Sequence, residues 1–359
     1  MKKNTEHEGL FYYQDRQKAF VCSNPFNSGA IRFYVPLPLI RKYSLLAGAR
    51  VKFISEHSNV NQIISINGRD PEKYLLKKQF EKLTVINPLQ KFDLGKSSDV
   101  SMRIIDLIAP IALGSRALVI SPPRAGKTVL LEKFAVFFSE IPALRTILLL
   151  VDERPEEITS FSRLTDSPVF SSSMDSDHTQ HVKLTDLLLN NIRQEIESGN
   201  DVVVLIDSLT RLGRAHNLND HRSGSKILSG GLGSSALQTP RKLFGLARNI
   251  EGGGSCTIIA TILHETGSRM DDLIFQEFKG TGNCEILLDR EISEMRVFPA
   301  IDIKQSGTRR EELFRTQQEM DKINHLRRNL IANDKVTAMR KLLDLAELSS
   351  DNEKFIDQF

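Results

Sequence analysis

The chain has 359 residues, 40% of them hydrophobic and 26% charged. That is ordinary for a globular protein of two or three domains and excludes a disordered or fibrous chain. A net charge of +3 is too small to identify a nucleic-acid binder, so any such site must come from local placement of charge. The three cysteines, Cys22, Cys256 and Cys284, are far apart and form no CxxC pair, which argues against a disulfide framework or a zinc site and for buried thiols. No signal-like or membrane-length apolar run is present, so a cytoplasmic protein with no membrane partner is expected.

Residues 9 to about 66 carry short β-type runs: Gly9–Tyr13, Lys18–Cys22, Ile31–Val35, Arg50–Ser55 and Gln62–Asn67. Asn24-Pro25, Ser28-Gly29 and Ala47-Gly48 punctuate them. This spacing predicts a small OB or cold-shock-like β-barrel over residues 1–66. Residues 67–98 are polar and mixed, and read as a linker.

Over residues 99–359 the pattern changes. Apolar runs at Ala117–Ile120, Thr146–Val151, Val202–Ile206, Thr257–Ile262 and Glu285–Leu288 alternate with amphipathic segments. Those segments include Thr128–Ile141, Val182–Ser198 and Ala236–Arg248. The alternation predicts an α/β domain with a mostly parallel sheet covered on both faces, and charged helices at the C-terminus.

The strongest motif is Ser121-Pro-Pro-Arg-Ala-Gly-Lys-Thr128, which follows an apolar strand and opens a helix as a P-loop does. Its first position is Ser121 where the consensus has Gly. The loop residues Pro123, Arg124, Ala125 and Gly126 and the helix start at Val129 would surround phosphates, the backbone N–H groups coming from the residues other than Pro123, with Lys127 on the β- and γ-phosphates and Thr128 on Mg²⁺. Asp207 ends the buried run Val202–Ile206, 80 residues beyond Lys127, where a Mg²⁺-side carboxylate belongs. Glu153, in Asp152-Glu-Arg-Pro-Glu-Glu157, is the candidate catalytic base; the alternative is a solvated acidic turn. The glycine-rich stretch 223–235 and the loop His264–Met270 read either as ligand-binding loops or as connectors. Ser306-Gly-Thr-Arg-Arg310 places a basic pair beyond the sheet, either for a neighbouring subunit's γ-phosphate or as a surface turn.

These motifs, together with Asp207-Ser-Leu-Thr-Arg-Leu212, Phe278-Lys-Gly-Thr-Gly-Asn283 and Arg296-Val-Phe-Pro-Ala-Ile-Asp302, resemble the Rho family of transcription terminators from about residue 68 onward. The resemblance implies a RecA-like ATPase in a homohexameric ring, using ATP and Mg²⁺. Such a ring loads on nascent single-stranded RNA, moves 5′ to 3′ as a helicase and releases RNA polymerase. It implies Arg154 beside Glu153, Phe298 packed on adenine, Arg309 as a finger acting in trans, and Arg296 as a second nucleotide-side arginine. Lys226 and Gly230 fall in the family's Q-loop and Arg269 in its R-loop, both facing RNA, with Lys279 nearby in the motif that follows. Arg211 and Arg214 would lie at the subunit interface.

The N-terminal region departs from the family. It is shortened, and Gly9-Leu-Phe-Tyr-Tyr13 stands where the family has a Gly-Phe-Gly-Phe type strand. Leu10 replaces one stacking aromatic and Tyr12 keeps the other. Phe11, Tyr12 and Tyr34 are the candidate RNA-stacking residues, with Tyr13 and Phe33 as further aromatics; the alternative is that these rings fill the barrel core. The degenerate strand also motivates a rival reading, a ring subunit that binds RNA without productive termination. A DNA recombinase would lack both the barrel and the Arg-Val-Phe-Pro stretch.

Overall fold

In the computed structural model, which describes residues 5–15, 18–26, 29–222 and 230–358, the N-terminal alternation closes into a barrel. Its strands are β1 (Thr5–Tyr13), β2 (Ala19–Cys22), β3 (Phe33–Tyr34), β4 (Arg50–Glu56) and β5 (Asn59–Ile66), in the order β1-β2-β3-β5-β4, with β4 pairing back on β1. Strand β4 shows the cause: Val51, Phe53 and Ser55 point inward while Arg50, Lys52 and Ile54 do not. Phe11, Val21, Phe33, Val51 and Phe53 meet inside, the rings of Phe33 and Phe53 packing edge to face at 5.1 Å.

The second domain is built on β6 (Val85–Ile86), β7 (Arg116–Ser121), β8 (Arg145–Glu153), β9 (Val169–Ser173), β10 (Val202–Asp207), β11 (Arg248–Ile250), β12 (Ser255–Leu263), β13 (Cys284–Leu287) and β14 (Gly307–Thr308). The order is β14-β13-β7-β12-β10-β8-β9, parallel from β13 to β9, with β11 joining β6 to β12. Successive residues serve opposite faces. Leu148 and Leu150 pack with Phe134 and Phe138 on one side, while Ile147 and Leu149 pack with Leu212 and Phe244 on the other. Covering both faces is why these strands read as unbroken apolar runs.

Two sequence expectations change. The segment Ala236–Arg248 is not one helix: the helix is Gln238–Phe244, and Arg248–Ile250 is strand β11, turning back on β12 through Gly252–Gly254. Residues 67–98 contribute β6 to the second sheet, with a short helix at Pro71–Tyr74 before it.

Barrel and second domain meet along the helix His178–Glu197. Glu195 is fully buried there and holds two guanidiniums, Arg50 Nε of β4 at 2.8 Å and Arg145 Nε of β8 at 3.1 Å. Asn191 Nδ2 donates to the Gly48 carbonyl at 2.8 Å, and Asn67 Nδ2 to the Gln194 carbonyl at 3.1 Å. Gly48 has φ of 90°, and a Cβ there would meet the Asn191 nitrogen at 2.5 Å, so no larger residue fits this contact.

Candidate active site

Strand β7 ends at the buried Ser121, and the chain then turns sharply to enter the helix Lys127–Ser139. Arg124 and Gly126 both have positive φ, 68° and 89°, and Gly126 is the helix N-cap. The loop therefore ends with backbone N–H groups and the positive end of a helix dipole at one point.

Two carboxylates stand beside it. β8 and β10 are neighbours in the sheet, and their C-terminal ends carry Glu153 and Asp207. Asp207 Oδ1 receives hydrogen bonds from Lys127 Nζ and, at 2.9 Å, from Thr261 Oγ1. Glu153 Oε1 pairs with Arg211 Nη1 at 2.9 Å, and the same Arg211 nitrogen donates to the Asp152 carbonyl. Asp207 Oδ2 and Glu153 Oε2 are buried and have no hydrogen-bond partner among the described residues. Burial pushes the Glu153 carboxyl up to about 7, helped by the Asp207 charge and opposed by Arg211 and Lys127. Two orphaned acceptors beside a lysine and a threonine form a donor set that fits Mg²⁺ and an attacking water, hard-oxygen chemistry.

Lys127, Asp207 and Glu153 are thus brought together, with the half-buried Thr128 in the same turn. A cavity of ≈ 320 Å³ adjoins the loop, lined by Arg124, Ala125, Gly126, Val129 and Phe298 among others. Phe298 is 46% exposed, and a Cβ on Gly126 would touch its ring at 3.4 Å. An open aromatic face beside a phosphate loop suits a nucleobase. Pro123 and Arg154 are exposed at the rim, Arg154 as the N-cap of the helix Pro155–Leu164; Arg296 is exposed with φ of 57°.

Arg309 lies elsewhere. It follows β14, whose Thr308 pairs with Cys284 at the start of β13, and its N–H donates to the Asn283 carbonyl. The P-loop is at the opposite, C-terminal end of the parallel strands. The length of β13, about 13 Å, separates the two ends. Arg309 is exposed, and its turn is held by Arg327, which donates to the carbonyls of Ile108 at 2.7 Å, Ile303 at 2.9 Å and Ser306 at 2.6 Å.

Several of the residues singled out in the sequence make contacts within the chain. Arg211 grips Glu153 in its own chain. Arg214 likewise donates to Asp271 Oδ1 at 2.8 Å, and Asn217 donates to the Gly231 carbonyl at 2.9 Å and accepts from Gly233 N at 2.7 Å. The helix Leu209–Arg222 therefore joins the carboxylate Glu153 to the two loops near Gly230 and Arg269. The spacing of three between Arg211, Arg214 and Asn217, which places them along one helix face, is the signal that sequence reading missed. Lys226 lies outside the described residues. Gly230 is exposed with φ of 85°, and Arg269 is exposed at the start of the helix Arg269–Phe278. Lys279 caps the other end of that helix, about 15 Å away, over the Phe275 ring and in a cavity with Glu265, Glu285 and Asp289. Arg269 and Lys279 are not brought together.

On the barrel, Phe11 is corrected. It is fully buried in the core, because β1 turns Phe11 inward and Tyr12 outward, and it has no face to offer. Tyr12 and Tyr34 are half-exposed, and Phe20, not anticipated, lies between them: Tyr12 faces Phe20 across β1–β2, and Phe20 faces Tyr34 across β2–β3. Ring centroids are 6.1 and 6.0 Å apart. All three cysteines are buried, as composition suggested. Among the described residues no helix is long and apolar enough to cross a membrane.

Comparison with known proteins agrees with this geometry. The family described as ATP synthase alpha/beta family, nucleotide-binding domain, matches residues 101–308. Proteins named transcription termination factor Rho are similar over most of the chain. That of Akkermansia muciniphila is 41% identical, covering 92% of this chain and 72% of the relative. That of Chromobacterium violaceum is 42% identical, covering 92% and 82%, and that of Aquifex aeolicus 43%, covering 90% and 77%. Among solved structures, an ATPase from the type III secretion system of pathogenic bacteria superposes with a TM-score of 0.64 at 24% identity, over 77% of this chain and 85% of that one. That likeness speaks to the fold.

Proposed function

The chain belongs to the Rho family of transcription termination factors, and from that premise we propose that it works as a homohexameric ring. The ring captures nascent single-stranded RNA in the cytoplasm, moves along it 5′ to 3′ and releases RNA polymerase. The chain is an ATP-dependent termination factor and a P-loop ATPase.

The observation that carries the mechanism is the pair of orphaned carboxylate oxygens beside Lys127. In the protein without nucleotide, Lys127 is held by Asp207. On binding, its ammonium turns to the β- and γ-phosphates while the loop N–H groups take the remaining oxygens. Thr128 and Asp207 would hold Mg²⁺, which supplies neutralisation of phosphate charge. Glu153, raised in pKa and steadied by Arg211, accepts the proton of the attacking water; a base with pKa near the working pH is well matched to that task. Arg309, set at the far end of the sheet from its own P-loop, is suited to a neighbour's γ-phosphate. The helix carrying Arg211, Arg214 and Asn217 gives RNA at the inner loops a mechanical route to Glu153.

The test is steady-state hydrolysis by purified protein with single-stranded RNA, with single-stranded DNA and with no polymer. RNA should stimulate turnover strongly. Rates that ignore the polymer would remove the motor reading.

A further inference from the structure

A second cavity, of ≈ 440 Å³, lies at the end of the sheet away from the P-loop. It opens beside the starts of β7 and β13 and the short strands β6 and β11. Every charged side chain that lines it is an arginine: Arg116, Arg248, Arg309 and Arg310. Arg116 and Arg248 are half-buried, and Arg309 and Arg310 are exposed at its rim. Pro88, Leu313 and Phe314 supply an apolar side.

Most of this charge has no counter-ion. Arg116 Nε donates to the Thr281 carbonyl at 2.9 Å, and its Nη1 to that of Ala247 at 3.2 Å. Arg248 Nη2 donates to the Gly245 carbonyl at 2.8 Å, and the guanidinium lies 4.1 Å from the centre of the Phe80 ring. Arg309 Nη1 donates to the Gly280 carbonyl at 3.4 Å. Carbonyls orient these forks and cancel none of their charge. The acids next in sequence are engaged elsewhere: Glu311 pairs with Arg315 at 3.5 Å, and Glu312 with Arg310 at 3.3 Å. Among the described residues no carboxylate pairs with Arg116, Arg248 or Arg309. Burial holds the Arg248 guanidinium below its ordinary pKa against the pull of Cys256, and the charges of Arg116 and Arg193 add to the fall. Beside them, Asn283 Oδ1 accepts the Arg116 N–H at 2.7 Å, which leaves the amide NH₂ of Asn283 as a further donor.

Oriented guanidinium forks with unspent N–H groups match phosphoryl oxygens, and a group of them in one cavity matches a polyanion. The volume is that of a small-ligand pocket. RNA is a poor candidate, because the loops at Gly230 and Arg269 follow the C-terminal ends of β10 and β12, at the other end of the sheet. We infer that this cavity is a second anion site, which binds a small polyphosphorylated molecule independently of the P-loop. It shares Arg309 with the task proposed for that residue at a neighbour's γ-phosphate. Resting on that reading, an occupied cavity holds the arginine at home and slows the neighbour's hydrolysis.

The probe is inorganic tripolyphosphate, titrated calorimetrically into the whole protein at constant free Mg²⁺. Lys127→Ala removes the phosphate clamp of the P-loop and should still take one tripolyphosphate per chain; no binding there would place all phosphate affinity in the P-loop and overturn the proposal. In that background Arg116→Ala, Arg248→Ala and Arg310→Ala should each weaken binding by about tenfold, the scale of a lost charge-assisted hydrogen bond. Arg116→Lys, which keeps the charge and loses the fork, should weaken it less. Melting curves identify any variant that fails to fold, and Arg310, whose side chain pairs only with the exposed Glu312, is removed without that risk. Unchanged affinity in all the alanine variants would overturn the proposal, and so would sulfate competing as well as tripolyphosphate at equal ionic strength. Single-stranded RNA should not displace the probe; displacement would make the cavity part of the RNA path instead. The link to Arg309 is read separately, from hydrolysis with Lys127 in place: tripolyphosphate should inhibit the unaltered protein more than Arg116→Ala. Equal inhibition of the two would leave the anion site standing on the binding data and strike the finger reading of Arg309.

Discussion

Glu153 is under two opposed demands. To act as a base it must be ionised, yet burial and the neighbouring Asp207 both resist that charge and lift its carboxyl to about 7. Glu153→Gln keeps the shape and cannot accept a proton. It should bind nucleotide normally and lose about 10²–10⁴ in single-turnover hydrolysis; lost affinity with intact chemistry would make Glu153 structural. The same shift sets a pH dependence of stability in the nucleotide-free protein. A carboxyl raised from its ordinary 4.5 to about 7 favours the folded state while protonated and loses that contribution as pH climbs between those values. Glu153→Gln, neutral throughout, should melt like the parent at pH 4 and higher than it at pH 8, by up to about 3 kcal/mol. A parent and variant that keep a constant difference across that range would refute the buried-charge account.

At the scale of elements, the helix His178–Glu197 is where barrel and motor are fastened. Glu195→Ala leaves Arg50 and Arg145 without their shared carboxylate, and breaking a buried pair costs about 3–5 kcal/mol. Calorimetry should show that loss, while an unchanged transition would mean solvent already reaches the site. On the barrel, Tyr34→Ala and Phe20→Ala should each weaken capture of single-stranded RNA by about 1–3 kcal/mol per stacked base, with basal hydrolysis unaltered; full RNA affinity in the double variant would move the platform elsewhere. Much of this was legible in the sequence, because alternation over residues 9–66 and apolar runs beyond 99 follow directly from one-sided and two-sided burial. Strand β9 was not, since Val-Phe-Ser-Ser-Ser lacks an apolar run, and two-residue β14 is below any periodic signal. Phe11 was misread because facing depends on register, and a shift of one residue exchanges inside for outside. The P-loop, Glu153 and Asp207 were legible as motif ends; Arg211 was legible as a residue but not as a partner, because its contact crosses from one strand–helix unit to the next.

At the scale of the whole molecule, Arg309 and Lys127 sit at opposite ends of one sheet. A subunit so built presents a P-loop at one end and an arginine at the other, which suits a head-to-tail ring. Arg309→Ala should bind ATP, assemble and fail to hydrolyse, since a finger of this kind contributes about 10³–10⁵ in turnover. Lys127→Ala should be equally inactive for the opposite reason. Mixed together, interfaces that join a good P-loop to a good arginine become complete, so basal ATPase per mole should rise above that of either variant. With subunit exchange confirmed, a mixture as inactive as its components would show that the arginine does not act in trans or that every interface must be intact; titration against unaltered protein separates these.

The shared carboxylate of Glu195 also bears on how the two domains are inherited. Arg50 belongs to the barrel, Glu195 and Arg145 to the motor; loss of Glu195 strands Arg145 in the junction, whereas loss of Arg50 leaves Glu195 paired with Arg145 but cuts the ionic tie between the domains. A chimera carrying a relative's barrel on this motor would fold poorly wherever that barrel lacks a base opposite Glu195, and a compensating change at position 195, made in the other domain, would rescue it.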